Sequence, residues 1–336
     1  MSALDIGIDL GTTKTIIYKD KNKFVLNEPS LVAVDIKKDE VLAIGNEAFK
    51  MFERTPPNIK VVYPLRDGVV SNHELTKVLL KECLKKASSS YLVKHKVMIC
   101  VPSFVTNVEK RTLIEVVSEC GAQKVYLLEE PVAAAIGSGL DISKANGNMI
   151  VDIGGGTVDI AVISMSGVVP SVKYAGNKID EEIVKLFFEK YKMLIGTKMA
   201  NIIKNQIANI YNPSIDITID VKGRNLLTGL PCLINVNQVD IYDALSPFSD
   251  SIITNIKMVL EKTPPELVGD IYENGIILTG GGALLGGLCN LISANINVRC
   301  NIPQNPIECV AKGTAMAFEY ISTLENGFST ESILKY

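Results

Sequence analysis

The chain has no tryptophan, only two histidines, and no C-x-x-C pair among its seven cysteines. These absences leave no zinc arrangement of the usual kind, which needs cysteines and histidines paired at short spacing. Cys83, Cys100, Cys120, Cys232, Cys289, Cys300 and Cys309 are odd in number and scattered, and they read as reduced, mostly buried thiols of a cytosolic protein. No apolar run approaches the roughly 18 residues of a membrane span. Asp5 and Asp9 interrupt the N-terminus where a signal peptide needs its apolar stretch, so a cytoplasmic location is expected. With a net charge of −3 the chain has no cationic excess to attract DNA or RNA, and no nucleic-acid partner is expected. Two phosphate-binding patterns are also missing: no G-x-G-x-x-G opens a helix after the first strand, and no G-x-x-x-x-G-K-[ST] occurs.

What is present instead is a pair of glycine turns of one design. Ile8-Asp9-Leu10-Gly11-Thr12-Thr13 lies near the start, and Val151-Asp152-Ile153-Gly154-Gly155-Gly156-Thr157 lies in the middle. Each follows a short apolar run and places one Asp before a Gly/Thr hairpin. The strands around them repeat too. Residues 4 to 10, 15 to 18 and 23 to 26 read as a three-strand meander that 148 to 153, 159 to 164 and 168 to 174 echo. Strand and helix alternation elsewhere predicts helices over 74–86, 106–120, 132–137, 178–191, 198–211 and 238–262. The sum is an α/β layer architecture in two related halves. The stretch 33–73 and the polar strands near 215–222 and 233–236 read as small inserts, and Asn27-Glu28-Pro29-Ser30 reads as a turn. A third glycine turn, Gly280-Gly281-Gly282-Ala283, follows the apolar strand 275–278.

Three such turns suit a nucleotide lying in a cleft between duplicated domains. Gly11, Thr12 and Thr13 would donate backbone and hydroxyl hydrogen bonds to phosphates from one side, and Gly154, Gly155, Gly156 and Thr157 from the other. Gly280, Gly281, Gly282 and Ala283 would let backbone pack flat against a base or ribose. Asp9 and Asp152, each at a strand end, would hold water on a Mg²⁺ that bridges phosphate oxygens.

In this order the turns resemble the actin, heat-shock chaperone and sugar kinase superfamily, and within it the MreB family of bacterial actin homologues. The resemblance rests on Ile6 to Thr13, Leu26 to Ser30, Arg54 to Pro56, Glu129 to Gly137, Asp152 to Thr157, Glu261 to Leu267, Leu278 to Leu285 and Val310 to Thr314, which cover nearly the whole chain. It implies an actin-like (ribonuclease H-like) fold of duplicated domains, each a mixed sheet flanked by helices, with two small inserted subdomains. The implied division is subdomain IA at 1–32 and 74–146 with a C-terminal helix at 307–325, IB at 33–73, IIA at 147–180 and 240–306, and IIB at 181–239. The resemblance also implies ATP/ADP and Mg²⁺ in the central cleft, and polymerisation into antiparallel double filaments at the inner face of the cell membrane. An anionic membrane surface and paralogous filament proteins are the further partners it brings.

Carried over by position, Glu130 would orient the attacking water and Thr157 would assist it. Without the family, Glu129-Glu130-Pro131 is a charged strand end before a helix with an early proline. Asn201 stands where the family has a Glu that accepts from the ribose, while Lys204 matches a family Lys. The amide loses the charge-assisted component, on the order of 1 kcal/mol of nucleotide binding. Lys14, directly after the first turn, has two readings, a cation near the phosphates or a side chain in solvent. Leu92 and Val93, flanked by Lys94 and Lys96, either form an apolar membrane tip or begin the strand that ends at Val101.

The expected function is a cytoskeletal ATPase whose hydrolysis times filament assembly and disassembly. The alternatives are a nucleotide-regulated scaffold with very slow turnover and, lower in rank, a small-molecule kinase on the same fold, for which neither insert offers a base. Richness in Lys, Asn and Ile suits an AT-rich genome such as that of a wall-less bacterium, where such a filament would serve shape or motility.

Overall fold

The computed structural model describes residues 4–87, 95–103, 105–164, 167–169 and 177–321. Its frame is two five-stranded mixed sheets with one topology used twice. In the first, β1 (Leu4–Leu10) pairs antiparallel with β2 (Lys14–Lys19), which pairs with β3 (Lys23–Pro29). Two small antiparallel sheets come next in the chain. Strands β4 (Val32–Asp35), β5 (Glu40–Ile44) and β6 (Ile59–Val62) form one, carrying helix α1 (Asn46–Met51), and β7 (Leu65–Arg66) and β8 (Val69–Val70) form the other. After α2 (His73–Ala87), β9 (His95–Val101) joins β1 in parallel. Helix α3 (Asn107–Glu119) then leads to β10 (Ala122–Glu129), which is parallel to β9 and runs directly into α4 (Glu130–Gly137).

The second half repeats this order. β11 (Asn148–Ile153) pairs antiparallel with β12 (Val158–Ser164) and through it with β13 (Gly167–Val169). Helix α5 (Asn177–Lys190), β14 (Met193–Leu194), α6 (Thr197–Ile207), β15 (Thr218–Asn225) and β16 (Pro231–Asn237) follow, the three strands forming one sheet. Long helix α7 (Gln238–Lys262) and α8 (Pro265–Asn274) then lead to β17 (Ile276–Thr279), parallel to β11. Helix α9 (Leu288–Ile296) and β18 (Cys300–Asn301), parallel to β17, complete the sheet, and α10 (Cys309–Met316) closes the described chain with a 3-10 turn over Ala317–Tyr320. The segment expected as one helix over 307–325 is therefore α10 with a 3-10 turn on each side as far as residue 321; the rest of it lies outside the described residues.

Local chemistry explains several boundaries. At α3 the Thr106 hydroxyl accepts from the Glu109 N–H at 3.3 Å while the Glu109 carboxylate accepts from the Thr106 N–H at 2.8 Å, a reciprocal capping box. Asn237 and Asp240 do the same for α7, which ends where Thr263-Pro264-Pro265 supplies no further helical N–H. Two expectations need correction. Residues 27–29 belong to β3, not to a turn, because Lys14 to Ile16 pair with Pro29 to Asn27; β3 is an edge strand, where Pro29 withholds no needed ladder bond. Helix α6 stops at Ile207, not near 211, because the Ile210 N–H donates to the Gly286 carbonyl at 2.9 Å and Asn209 bridges Gly286.

Each half has its own apolar core. One joins β1, β9 and β10 to α2 and α3 through residues such as Ile8, Leu80, Ile99 and Val117. The other joins β11, β12 and β17 to α5, α7 and α9 through Val151, Phe187, Ile256 and Ile292. A third core lies between the two sheets, where Val132 and Ile136 of α4 and Val310 of α10 meet Cys100 and Leu128 of the first half and Ile150 and Ala161 of the second. Burying such aliphatic side chains contributes about 1.5–3 kcal/mol each, so α4 and α10 form the axle that joins the halves. The two helices cross at backbone distance: a Cβ on Gly137 would overlap the Cys309 carbonyl, and one on Gly313 the Ala133 carbonyl.

Candidate functional site

The two equivalent turns close on the same hydrogen bond. The Gly11 N–H donates to the Lys14 carbonyl at 3.0 Å, and the Gly154 N–H to the Thr157 carbonyl at 2.8 Å. They also face each other. A Cβ at Gly155 would overlap the Thr13 side chain and one at Gly156 the Thr12 side chain, so these positions admit only glycine at this approach. The first turn is further fixed by Ser30, whose hydroxyl donates to the Gly11 carbonyl at 2.7 Å and whose N–H donates to the Thr13 carbonyl at 2.9 Å. From the β7–β8 turn the Gly68 N–H donates to the Thr12 hydroxyl at 2.9 Å.

The third turn packs onto the second. Gly280 has φ +77, and side chains at Gly280 or Gly282 would overlap Ile153, whereas Gly281 faces open space and Ala283 is buried. Asn201 and Lys204 of α6 stand together on Asp180. Lys204 Nζ lies 2.8 Å from Asp180 Oδ1, and Asn201 Nδ2 donates to Asp180 Oδ2 at 3.2 Å. Among the described residues no hydrogen bond links this pair to the glycine turns. Lys14 is exposed.

Between the turns lies a concentration of carboxylates. Asp9 and Asp152 are the next-to-last residues of β1 and β11, Glu130 opens α4, and Asp159 sits opposite Asp152 across the β11–β12 pair. Asp152, Asp159 and Glu130 are buried. Asp152 accepts from the Thr279 hydroxyl at 2.6 Å, Asp159 from the Ser103 N–H at 3.1 Å, and Glu130 from the Thr157 hydroxyl at 3.4 Å. Among the described residues none of Asp9, Asp152 and Glu130 makes an ion pair. Burial pushes the Asp9 carboxyl up to about 7, against a weak opposing bond from the Cys100 thiol at 3.6 Å. Burial, with Asp9 and Asp159 nearby, likewise pushes Asp152 up to about 7. Glu130 is raised well above the usual carboxylate range, first by burial and then by Asp159, Asp152 and Asp9.

This donor set suits a hard divalent cation, which takes oxygen ligands and would relieve the repulsion. Among the described residues no three acidic, His or Cys side chains converge closely enough to hold a metal directly.

The raised carboxyls set a pH dependence. In the unfolded chain Asp152 titrates near 3.8 and in the fold near 7. Between those values the folded state keeps a proton that the unfolded state has released, so stability falls as pH rises through the window and levels off above it. Asp152→Asn removes that penalty. Its melting advantage over wild type in ligand-free protein should grow by on the order of 1 kcal/mol per pH unit between pH 5 and pH 7, then level off. Thermal melts at pH 5, 6, 7 and 8 check this, and an advantage that shrinks with pH would contradict it.

The family model for the MreB/Mbl protein matches residues 3–326. The chain belongs to the MreB/Mbl family. It is 44% identical to the cell shape-determining protein Mbl of Bacillus subtilis over 96% of this chain and 98% of that protein. With the cell shape-determining protein MreB of Escherichia coli it shares 41% identity over 96% and 95%. The crystal structure of MreB5 of Spiroplasma citri bound to AMPPNP superposes with a TM-score of 0.89 at 33% identity, covering 97% of this chain and 99% of that one. MreB5 bound to ADP gives the same TM-score at 34% identity, over 97% and 99%. The actin-like fold of duplicated domains expected from the sequence is the fold observed.

Several residues of this MreB/Mbl chain escaped the sequence reading. Asp159 carries a visible signal, a lone carboxylate within the apolar strand Val158–Ser164 and at the register position that Ile16 occupies in the first half. Ser30 and Thr279 lack any such signal, since their roles depend on non-local contacts. Leu92 and Val93 lie outside the described residues. No helix among the described residues is long and apolar enough to cross a membrane.

Proposed function

We propose that this chain is a cytoskeletal ATPase that binds ATP with Mg²⁺ in the cleft between its halves and polymerises into antiparallel double filaments controlling cell shape. The observation that carries the reading is the apposition of two equivalent glycine hairpins above a cluster of buried carboxylates. The MreB5 structures bound to AMPPNP and to ADP support it, as does the naming of Mbl and MreB as cell shape-determining proteins.

In this reading Gly11, Thr12 and Thr13 bind phosphate oxygens from one half and Gly154, Gly155, Gly156 and Thr157 from the other. Gly280 to Ala283 present flat backbone to the nucleoside, with Asn201 and Lys204 at its ribose side. Asp9 and Asp152 would hold Mg²⁺ through water, and the cation supplies charge neutralisation at the phosphates. Glu130, raised first by burial and then by the neighbouring carboxylates, would as a carboxylate orient and polarise a water in line with the γ-phosphate. Thr157, whose hydroxyl already donates to Glu130, holds that carboxylate in place. Subdomains IA (1–32 and 74–146, with the segment from 307), IB (33–73), IIA (147–180 and 240–306) and IIB (181–239) are the parts that close around it. The filament would lie on the inner face of the cell membrane, with the Leu92 and Val93 segment as an apolar contact beside cations. Paralogous filament proteins are further candidate partners.

Phosphate release, followed together with sedimentation of the protein in Mg-ATP and in Mg-ADP, tests the reading. Slow, sugar-independent phosphate release with more pelleted protein in ATP supports it. Pelleting without phosphate release would favour the scaffold alternative, and release that depends on an added sugar the kinase.

A further inference from the structure

The halves meet at the α4–α10 axle and at the apposed glycine turns, and they also meet at a third place, between the two inserts. Glu53 follows α1 in the first insert with φ +60, a backbone conformation uncommon for a non-glycine residue. Its carboxylate reaches α6 in the second half. One oxygen accepts from the Thr197 N–H at 2.8 Å and from the Thr197 hydroxyl, and the other accepts from the Lys198 N–H at 3.2 Å. The contact is reciprocal. Lys198 Nζ donates to the Phe49 carbonyl of α1 at 2.7 Å and lies 4.2 Å from the centre of the Phe49 ring.

The N-cap of helix α6 is Gly196, which has no side chain to cap it, and a Cβ there would overlap the Glu53 carboxylate. The helix therefore takes its N-terminal cap from a residue 144 positions away in the chain, across the cleft. A carboxylate suits the place, because the free N–H groups and the positive end of the helix dipole both favour an anion. Glu53 and Thr197 are exposed, so water replaces these bonds readily and the bridge can open. Helix α6 also carries Asn201 and Lys204, which grip Asp180. Tyr63, just beyond β6, lies near enough to both Asp180 and Glu53 for their charges to add to the effect of burial on its phenol.

We propose that Glu53 is a positioning residue that latches the cleft: by capping α6 from the opposite half it holds the inserts together over bound nucleotide and sets how fast that nucleotide leaves. The latch rests on the nucleotide-binding reading above and adds to it the residues that control release. Thr197 and Lys198 are its receiving side and Phe49 its second contact.

Two measurements on the full chain test it. In the first, release of a fluorescent ADP analogue from the Mg-loaded protein is followed for wild type, Glu53→Gln, Thr197→Val and the double variant. Glu53→Gln should speed release about tenfold, as expected when charge-assisted bonds become neutral ones. The double variant should be little faster than Glu53→Gln alone, since both remove one bridge. Glu47→Gln on the preceding helix α1, whose ion pair with Lys50 is local, should leave release unchanged, and the melting temperature should hold in every case. In the second, hydrogen exchange at the Thr197 and Lys198 amides without nucleotide should quicken in Glu53→Gln and not in Glu47→Gln. Release and exchange rates that match wild type in Glu53→Gln would overturn the latch. Failure of the wild type to bind ADP at all would instead overturn the nucleotide-binding reading, and the exchange measurement would still decide whether Glu53 caps α6.

Discussion

Replacing Glu130 by Gln should slow ATP hydrolysis by about a hundredfold or more while leaving ADP affinity within about threefold of wild type. The asymmetry follows from where the carboxylate sits. Glu130 opens α4 beneath the facing turns, buried, with its oxygen accepting from the Thr157 hydroxyl, and it belongs to neither glycine turn. An amide of the same shape keeps an oxygen for Thr157 but cannot polarise water as an anion does. The same change removes a carboxyl whose ionisation Asp159, Asp152 and Asp9 oppose, so the ligand-free variant should melt above wild type at pH 8. Single-turnover phosphate release, a fluorescent ADP titration and a melt at pH 8 measure the three effects. Hydrolysis at the wild-type rate would remove Glu130 from the mechanism.

Gly313→Val should destabilise the protein by about 3 kcal/mol or more, lowering the melting temperature by roughly 4 °C or more. A Cβ at this position would overlap the Ala133 carbonyl and come within 2.7 Å of the Gly137 nitrogen, both backbone atoms of α4. No change of rotamer relieves a clash with backbone, so α4 and α10 must move apart. Since those helices form the core between the sheets, the loss reaches both halves. Gly269→Ala is the matched control. It lies inside α8 with nothing within 4 Å of the added Cβ, and the better helix former should stabilise by about 0.5–1 kcal/mol. Differential scanning calorimetry distinguishes the two, and equal melting temperatures for both variants would contradict the close-crossing account.

Where local chemistry alone specifies an element, the sequence was sufficient. The α7 boundaries, Gln238 and Lys262, are marked by a polar cap on one side and Thr263-Pro264-Pro265 on the other. The two Asp-x-Gly hairpins were readable because glycine tolerance and an apolar lead-in are sequence-local, and their facing arrangement followed from the repeated meander. Long-range pairing was harder to read. Residues 27–29 looked like a turn because Asn27 and Pro29 favour turns, yet pairing with β2 draws them into an edge strand. Helix α6 loses its expected last turn to a bridge with Gly286, which is distant in sequence. In the candidate site, Asp9, Asp152 and the three turns stand out in the sequence itself and Glu130 enters only through the family resemblance, whereas the cap that Glu53 places on α6 has no sequence signal. That residue sits beside Arg54-Thr55-Pro56, where the chain reads only as broken, and its partner lies on the other half.

Electron microscopy of the purified protein tests most directly whether this MreB/Mbl chain assembles under nucleotide control. Negatively stained samples on anionic lipid would be compared in Mg-ATP, in Mg-ADP and without nucleotide. Paired straight filaments are expected in Mg-ATP and few or none in the other two conditions. Dispersed monomers in all three would contradict nucleotide-controlled assembly.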